Sequence, residues 1–323
     1  MIKLLWRTDV HLSDKTPSKR NGDWTQDVLE KLRWIGEKAT EIDANLVLDG
    51  GDFFDIKSPQ KNSHKLVRST IEVHKEYPCP TYALVGNHDV KYGKIEFLPE
   101  QPLGVLFSSE TFIPFNEEEI IILEDGEIKV RIVGIPYHGV EYDFEKLKSL
   151  KKGDEDFLLV ACHLLARKGK TGSMFEGEDI VGYDFLNQIS DVDAWFFGHW
   201  HKDQGITRLD NGSIVVNTGS LTRGSLHLDD LDRNPCVVEI RASKEGLEYE
   251  RHDLPIKPAQ DVFKVNQKIH EIEDKERMLE IVEKMKNVAV LGWNDLSLKD
   301  RIKESKLPSQ VIEKTISYIE EIE

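Results

Sequence analysis

The chain has 323 residues, 39% hydrophobic and 32% charged, with a formal net charge of -16; it can bury a core and is not disordered throughout. An acidic surface of this kind excludes nonspecific coating of nucleic acid, though not a DNA substrate approached through bound cations. The longest apolar runs, 157–162 and 193–198, are too short to span a bilayer, no signal-peptide pattern opens the chain, and three dispersed cysteines without a CxxC pair exclude a disulfide framework and point to the cytoplasm.

Residues 2–6 predict a strand, and 23–42 an amphipathic helix with Val28, Leu32, Ile35, Ala39 and Ile42 on one face. A buried strand at 46–48 runs into Asp49-Gly-Gly-Asp52. A helix follows over 62–76, then a strand at 81–85 that ends at Gly86-Asn-His-Asp89. This alternation calls for parallel pairing.

Further on, 119–123 and 128–135 flank the turn dipeptide Asp125-Gly126. Apolar strands at 157–162 and 194–197 each end near a histidine. Residues 206–209 and 214–216 flank Asn211-Gly212, and 236–240 with 247–251 predict another hairpin. The expected class is α/β (α+β), with two mixed β-sheets packed face to face and flanked by helices. After Pro255-Ile-Lys-Pro258 the pattern becomes helical and highly charged, with a last helix from Ser309. Residues 1–255 are therefore expected as one domain and 256–323 as a small C-terminal helical region.

Five clusters fall at predicted strand ends: Asp9-Val-His11, Gly51-Asp52-Phe-Phe-Asp55, Gly86-Asn87-His88-Asp89, His163, and Gly198-His199-Trp-His201. Loops at the carboxyl ends of parallel strands converge on one site. Asp9 with His11, and His199 with His201, are spaced to project to one side of extended chain. Singly, each cluster has a bland reading, a capped turn or a satisfied strand-end histidine. All five in this order point to a built site. Seven carboxylate, imidazole and amide donors exceed one four-coordinate ion. They suit two ions about 3.5–4 Å apart, and the donor mixture favours manganese or iron.

Together these clusters resemble the calcineurin-like metallophosphoesterases. Within them they are most similar to the SbcD-type DNA repair exonuclease subunit, through Thr8-Asp-Val-His-Leu12, Gly51-Asp-Phe-Phe-Asp55, the long insert between His88 and His163, Asn217-Thr-Gly-Ser-Leu221 and the helical tail. The resemblance implies a four-layer fold and two divalent ions, manganese first, with iron, zinc or magnesium as alternatives. Asp9, His11 and His201 would hold one ion, Asn87, His163 and His199 the other, and Asp52 would bridge. His88 would contact the scissile phosphate or protonate the leaving oxygen, Asp89 would orient His88, and Asp55 would support the ligands.

The implied activity is cleavage of DNA phosphodiester bonds. The alternatives are a phosphodiesterase or phosphatase for small nucleotides, and a non-catalytic metal-bound scaffold. Implied partners are DNA, an SbcC-type SMC-like ATPase gripped by the C-terminal helices, and a second copy of the chain paired through 62–76 and 95–98. Lys15, Lys19, Arg20, His138 and Arg223 are the candidate substrate contacts. His64, His74, His227, His252 and His270 lack motif context and are expected at the surface. The segment between Gly219 and Pro255 is short for a DNA-capping domain, and Trp200 is a bulky residue within its cluster.

Overall fold

Strands buried on both faces read as nearly continuous apolar runs, and such runs here pair into two six-stranded sheets. The computed structural model describes residues 1–55, 62–91, 94–174, 177–225, 233–264, 278–279, 298–303 and 309–320. Its strands are β1 (Ile2–Arg7), β2 (Leu46–Asp49), β3 (Thr81–Ala83), β4 (Ile113–Pro114), β5 (Ile121–Asp125), β6 (Ile128–Ile135), β7 (Phe157–His163), β8 (Ala166–Arg167), β9 (Gly172–Ser173), β10 (Asp179–Gly182), β11 (Ala194–Gly198), β12 (Gly205–Arg208), β13 (Ile214–Asn217), β14 (Cys236–Ser243) and β15 (Gly246–Asp253).

One sheet runs β15-β14-β1-β2-β3-β4 and the other β12-β13-β11-β7-β6-β5. The inner pairings β1–β2, β2–β3, β6–β7, β7–β11 and β11–β13 are parallel, and the predicted hairpins close the outer edges antiparallel. A small third sheet, β8-β10-β9, was not expected; its strands are too short to show a period.

Side-chain alternation builds four layers. Leu4, Trp6 and Leu48 of the first sheet meet Ile132, Leu159 and Phe196 of the second in a buried middle layer. The opposite face of the first sheet, with Leu5 and Val47, packs on Val28, Leu32 and Ile35 of α1 (Trp24–Glu41). The opposite face of the second sheet, with Val160, Trp195 and Phe197, is covered by Tyr142, Leu147 and Leu186. Helix α1 starts where Asp23 accepts from the Gln26 amide at 3.0 Å, which satisfies one orphan donor of its first turn.

Between the ends of β1 and β2 lies a fully buried ion pair. Arg7 Nε donates to Asp49 Oδ2 at 2.7 Å, and both side chains are 0% exposed. The guanidinium also donates to Tyr77 Oη and His74 Nε2, each at 2.9 Å, and faces the rings of Phe53 and Phe112. His74 therefore corrects a surface expectation: it is a buried member of α2 (His64–His74) and bonds the Thr70 carbonyl through Nδ1. Burial, then Arg7, holds it well below the usual histidine range, so it accepts from the guanidinium as a neutral ring.

The described chain divides into two compact units, 1–263 and 264–323. The larger one runs past the expected boundary at 255 because Phe263 bridges to Arg20 and its carbonyl accepts from Asn21 Nδ2 at 3.3 Å. In the smaller one, helices Leu298–Lys303 and Ser309–Glu320 bury Ile302 and Ile319. The other helical stretches expected after 264 lie outside the described residues.

Removing one partner of a buried ion pair leaves an uncompensated charge. Asp49→Ala is therefore expected to lower unfolding free energy by about 3–5 kcal/mol, while the double change Arg7→Met with Asp49→Leu recovers most of it. Urea denaturation of the three proteins measures both.

Candidate metal centre

The carboxyl ends of β1, β2, β3, β7 and β11 deliver all five motif loops to one place. Delivery requires unusual backbone. Asp9 (φ 53°), His11 (φ 50°), Asp52 (φ 53°) and His199 (φ 80°) are all left-handed. Such strain persists only where surroundings over-determine it, and it clusters at functional sites.

Here hydrogen bonds lace the loops together. Asp9 N donates to the Gly51 carbonyl and His11 N to the Asp52 carbonyl, both at 3.1 Å. His199 N reaches both Asp9 carboxylate oxygens at 3.1 Å, which ties the second sheet to the first. Gly51 (φ 93°) must be glycine on two counts, since a Cβ there would stand 2.8 Å from His163 Nδ1.

Asp89 departs from its expected role. Its carboxylate accepts from the amides of Asp52 (2.8 Å), Gly86 (2.9 Å) and Phe54 (3.3 Å), so it staples the third loop to the second rather than orienting His88. The orienting group is the Asp55 carbonyl, 2.7 Å from His88 Nδ1, and His88 N donates to Asp52 Oδ1 at 2.7 Å. That leaves His88 Nε2 for the adjoining cavity. Asp55 also sits with its carboxylate 3.4 Å from His11 Nδ1, where it can support that ring as expected.

The seven candidate ligands form two groups that share Asp52. Asp9, His11, Asp52 and His201 bring donor atoms within 4.8 Å of one another, as do Asp52, His163 and His199. Asp52 Oδ2 stands between the groups, 3.9 Å from His11 Nε2 and 3.4 Å from His163 Nε2. The Asn87 side-chain amide lies 3.2 Å from His163 Nε2 and 3.0 Å from both His199 Nδ1 and Asp52 Oδ2, and with its nitrogen inward it can donate to these acceptors. Turned the other way, the amide would add its oxygen to the imidazole and carboxylate donors around Asp52, a donor set that suits a cation.

The rings are aimed from behind. His163 Nδ1 bonds the Gly50 carbonyl at 2.7 Å, and His199 Nε2 bonds Glu178 Oε1 at 2.8 Å, so each turns its other nitrogen inward. This carboxylate or carbonyl backing is the usual support of metal-binding imidazoles. Burial opposes charge on His163, yet the Asp52 carboxylate raises its pKa to about 10, and His163 in turn lowers that of Asp52 against its own burial. The pocket favours positive charge. Its oxygen and nitrogen donors fit two divalent ions, one on each side of Asp52.

A cavity of about 700 Å³ opens beside this centre, lined by His11, His88, His199, His201, Lys15 and Trp200 among others. The expected substrate contacts are corrected here. Arg20 is buried, pairs with Asp27 at 2.8 Å and stacks on Trp24 and Phe263. Arg223 is buried too and donates to the Lys257 carbonyl at 2.7 Å. Both brace the loop that enters α1. His138 pairs with Glu117 at 3.1 Å and lines a separate cavity.

Sequence reading missed Tyr137, whose ring lies 5.5 Å from that of His199. Alternation at the end of β6 could have indicated it in place of His138. It also missed Glu178, which reaches His199 from the unexpected β9–β10 hairpin and carries no local signal.

Residues 2–203 match the calcineurin-like phosphoesterase family. The DNA double-strand break repair protein Mre11 of Archaeoglobus fulgidus is 23% identical over 237 residues, covering 70% of this chain and 51% of that protein. Mre11 of Methanosarcina acetivorans is 22% identical over 297 residues, covering 87% of this chain and 45% of its own. The chain thus spans about half the length of the curated relatives it matches. A Staphylococcus aureus structure, described as a candidate 5′-nucleotidase, superposes with a TM-score of 0.51 at 17% identity over 80% of this chain and 54% of its own, a likeness of fold. With the family match running through every motif from Asp9 to His201, this chain belongs to the calcineurin-like phosphoesterases.

Proposed function

We propose that the chain is a metal-dependent phosphodiesterase that cleaves DNA. In this reading Asp9, His11, Asp52 and His201 hold one divalent ion, Asp52, Asn87, His163 and His199 hold the other, and manganese is the first choice. The observation that carries it is Asp52 Oδ2, which stands 3.9 Å from His11 Nε2 and 3.4 Å from His163 Nε2 and so belongs to both clusters of donors. DNA as the substrate is supported by the two Mre11 relatives and by Lys15 at the cavity. A phosphodiesterase for small nucleotides would use the same site.

The chemistry supplied by a bound ion pair is Lewis acidity toward a phosphoryl oxygen and acidification of water. The chain's residues do the rest. Asp52 holds the two halves in register, Glu178 and the Gly50 carbonyl fix the two ring tautomers, and His88 presents Nε2 to the cavity. An imidazole there is suited to protonate the departing alkoxide near neutral pH. A non-catalytic scaffold has no use for a histidine held in this way.

The resemblance also carries two assembly proposals. One is pairing of two copies through the helix expected over 62–76 and the segment 95–98, where Ile95 is 56% exposed. The other is docking of an SMC-like ATPase by the C-terminal helices. Light scattering at micromolar concentration is expected to give twice the monomer mass, and a monomer mass removes the pairing.

The function is tested by supplying the purified protein with manganese, single- and double-stranded DNA, and bis-p-nitrophenyl phosphate. Cleavage of the small diester without DNA cleavage would favour the small-nucleotide reading. Elemental analysis should find two ions per wild-type chain, and Asp52→Ala should lose both because it removes the shared carboxylate. His88→Ala should keep both ions while diester turnover falls about 10²–10⁴-fold, the usual contribution of a general acid.

A further inference from the structure

The cavity beside the metal centre is chemically uneven. His11, Asp55, His88, His199 and His201 give it a polar part, and Leu165, Met174 and Trp200 give it an apolar one. Trp200 stands between two metal-binding histidines, so its backbone is fixed by theirs. Its half-buried side chain packs against the core cluster that contains Leu164, Leu165 and Phe197. Met174, which lines the same cavity, is 45% exposed.

An indole used only for packing gains most by turning wholly into that core. Trp200 is instead half-buried and lines the cavity beside the metal centre. Flat aromatic surface beside a phosphate site matches one ligand feature well, the face of a nucleobase. Stacking there needs no base-edge recognition, because every base has a π face. Lys15, in the same cavity, supplies a charge suited to the adjoining backbone.

We propose that Trp200 is the stacking platform for the base of the nucleotide adjoining the scissile phosphate, with Leu165 and Met174 beside it. The proposal rests on the phosphodiesterase reading and adds a substrate class. A base inside a duplex is paired and already stacked, so the platform selects a nucleotide that is unpaired at the cleavage point, as in a single strand or a frayed end.

The test compares two ligands that differ only in the base. Thymidine 5′-monophosphate and 2-deoxyribose 5-phosphate are titrated calorimetrically into the manganese-loaded 323-residue chain. The wild type is expected to bind the nucleotide at least about tenfold more tightly than the sugar phosphate, as one stacked base allows. Trp200→Ala should close that gap without weakening the sugar phosphate, and Trp200→Phe should restore part of it. Trp200→Leu, which keeps apolar bulk without the extended π face, reads the same gap where the alanine variant loses metal. Equal binding of both ligands by the wild type overturns the platform, as does a gap that survives in the alanine or leucine variant. Failure of the wild type to cleave bis-p-nitrophenyl phosphate overturns instead the phosphodiesterase reading beneath it.

Discussion

Polar side chains from five loops converge around the Asp52 carboxylate, and much of the molecule serves to hold them together. His11 Nε2 and His201 Nε2 lie at hydrogen-bond distance, 2.8 Å, and the Asn87 amide lies 3.0 Å from an Asp52 oxygen. They are held because four residues are locked in left-handed backbone, because Asp89 gathers three amides from two loops, and because carbonyls and a carboxylate grip the far side of His163, His88 and His199. Such a preorganised set of donors is what a site built for metal-assisted chemistry requires.

The support extends inward. Arg7 and Asp49 are the last residues of β1 and β2, immediately before the loops that carry Asp9 and Asp52. Their buried pair fixes the ends of the two strands, and Asp49 Oδ1 also accepts from the Gly51 amide at 3.1 Å. A buried ion pair is an expensive way to stabilise a fold. Its worth here is geometric: it sets where two metal-binding loops leave the sheet. The rings of His74, Tyr77, Phe53 and Phe112 surround the guanidinium, and the pair is fully buried.

Charge is distributed unevenly between surface and interior. The chain is acidic overall, yet Arg20, Arg223 and Lys31 are buried around the start of α1. Burial lowers Lys31 to about 8, partly offset by Asp27. These cations spend their charge on architecture rather than at the surface.

The motifs by themselves determined which residues meet. Asp9, His11, Asp52, Asn87, His163, His199 and His201 sit at strand ends with the spacing of a binuclear site, and local chain geometry fixes that. The alternating apolar runs equally determined the two sheets, because a strand buried on both faces has few other ways to satisfy its surface. What a side chain does when it points away from its own strand was decided only by tertiary structure. Asp89 looks like a partner of His88 in sequence, but the amides of Asp52, Phe54 and Gly86 reach it first. Arg20 and Arg223 look like phosphate contacts, but Trp24, Phe263 and Asp27 lie close enough to bury them. Glu178 looks like nothing, yet it aims His199. Strand pattern and loop chemistry are local and can be read along the chain, whereas the partner of a long polar side chain depends on which distant segment packs beside it.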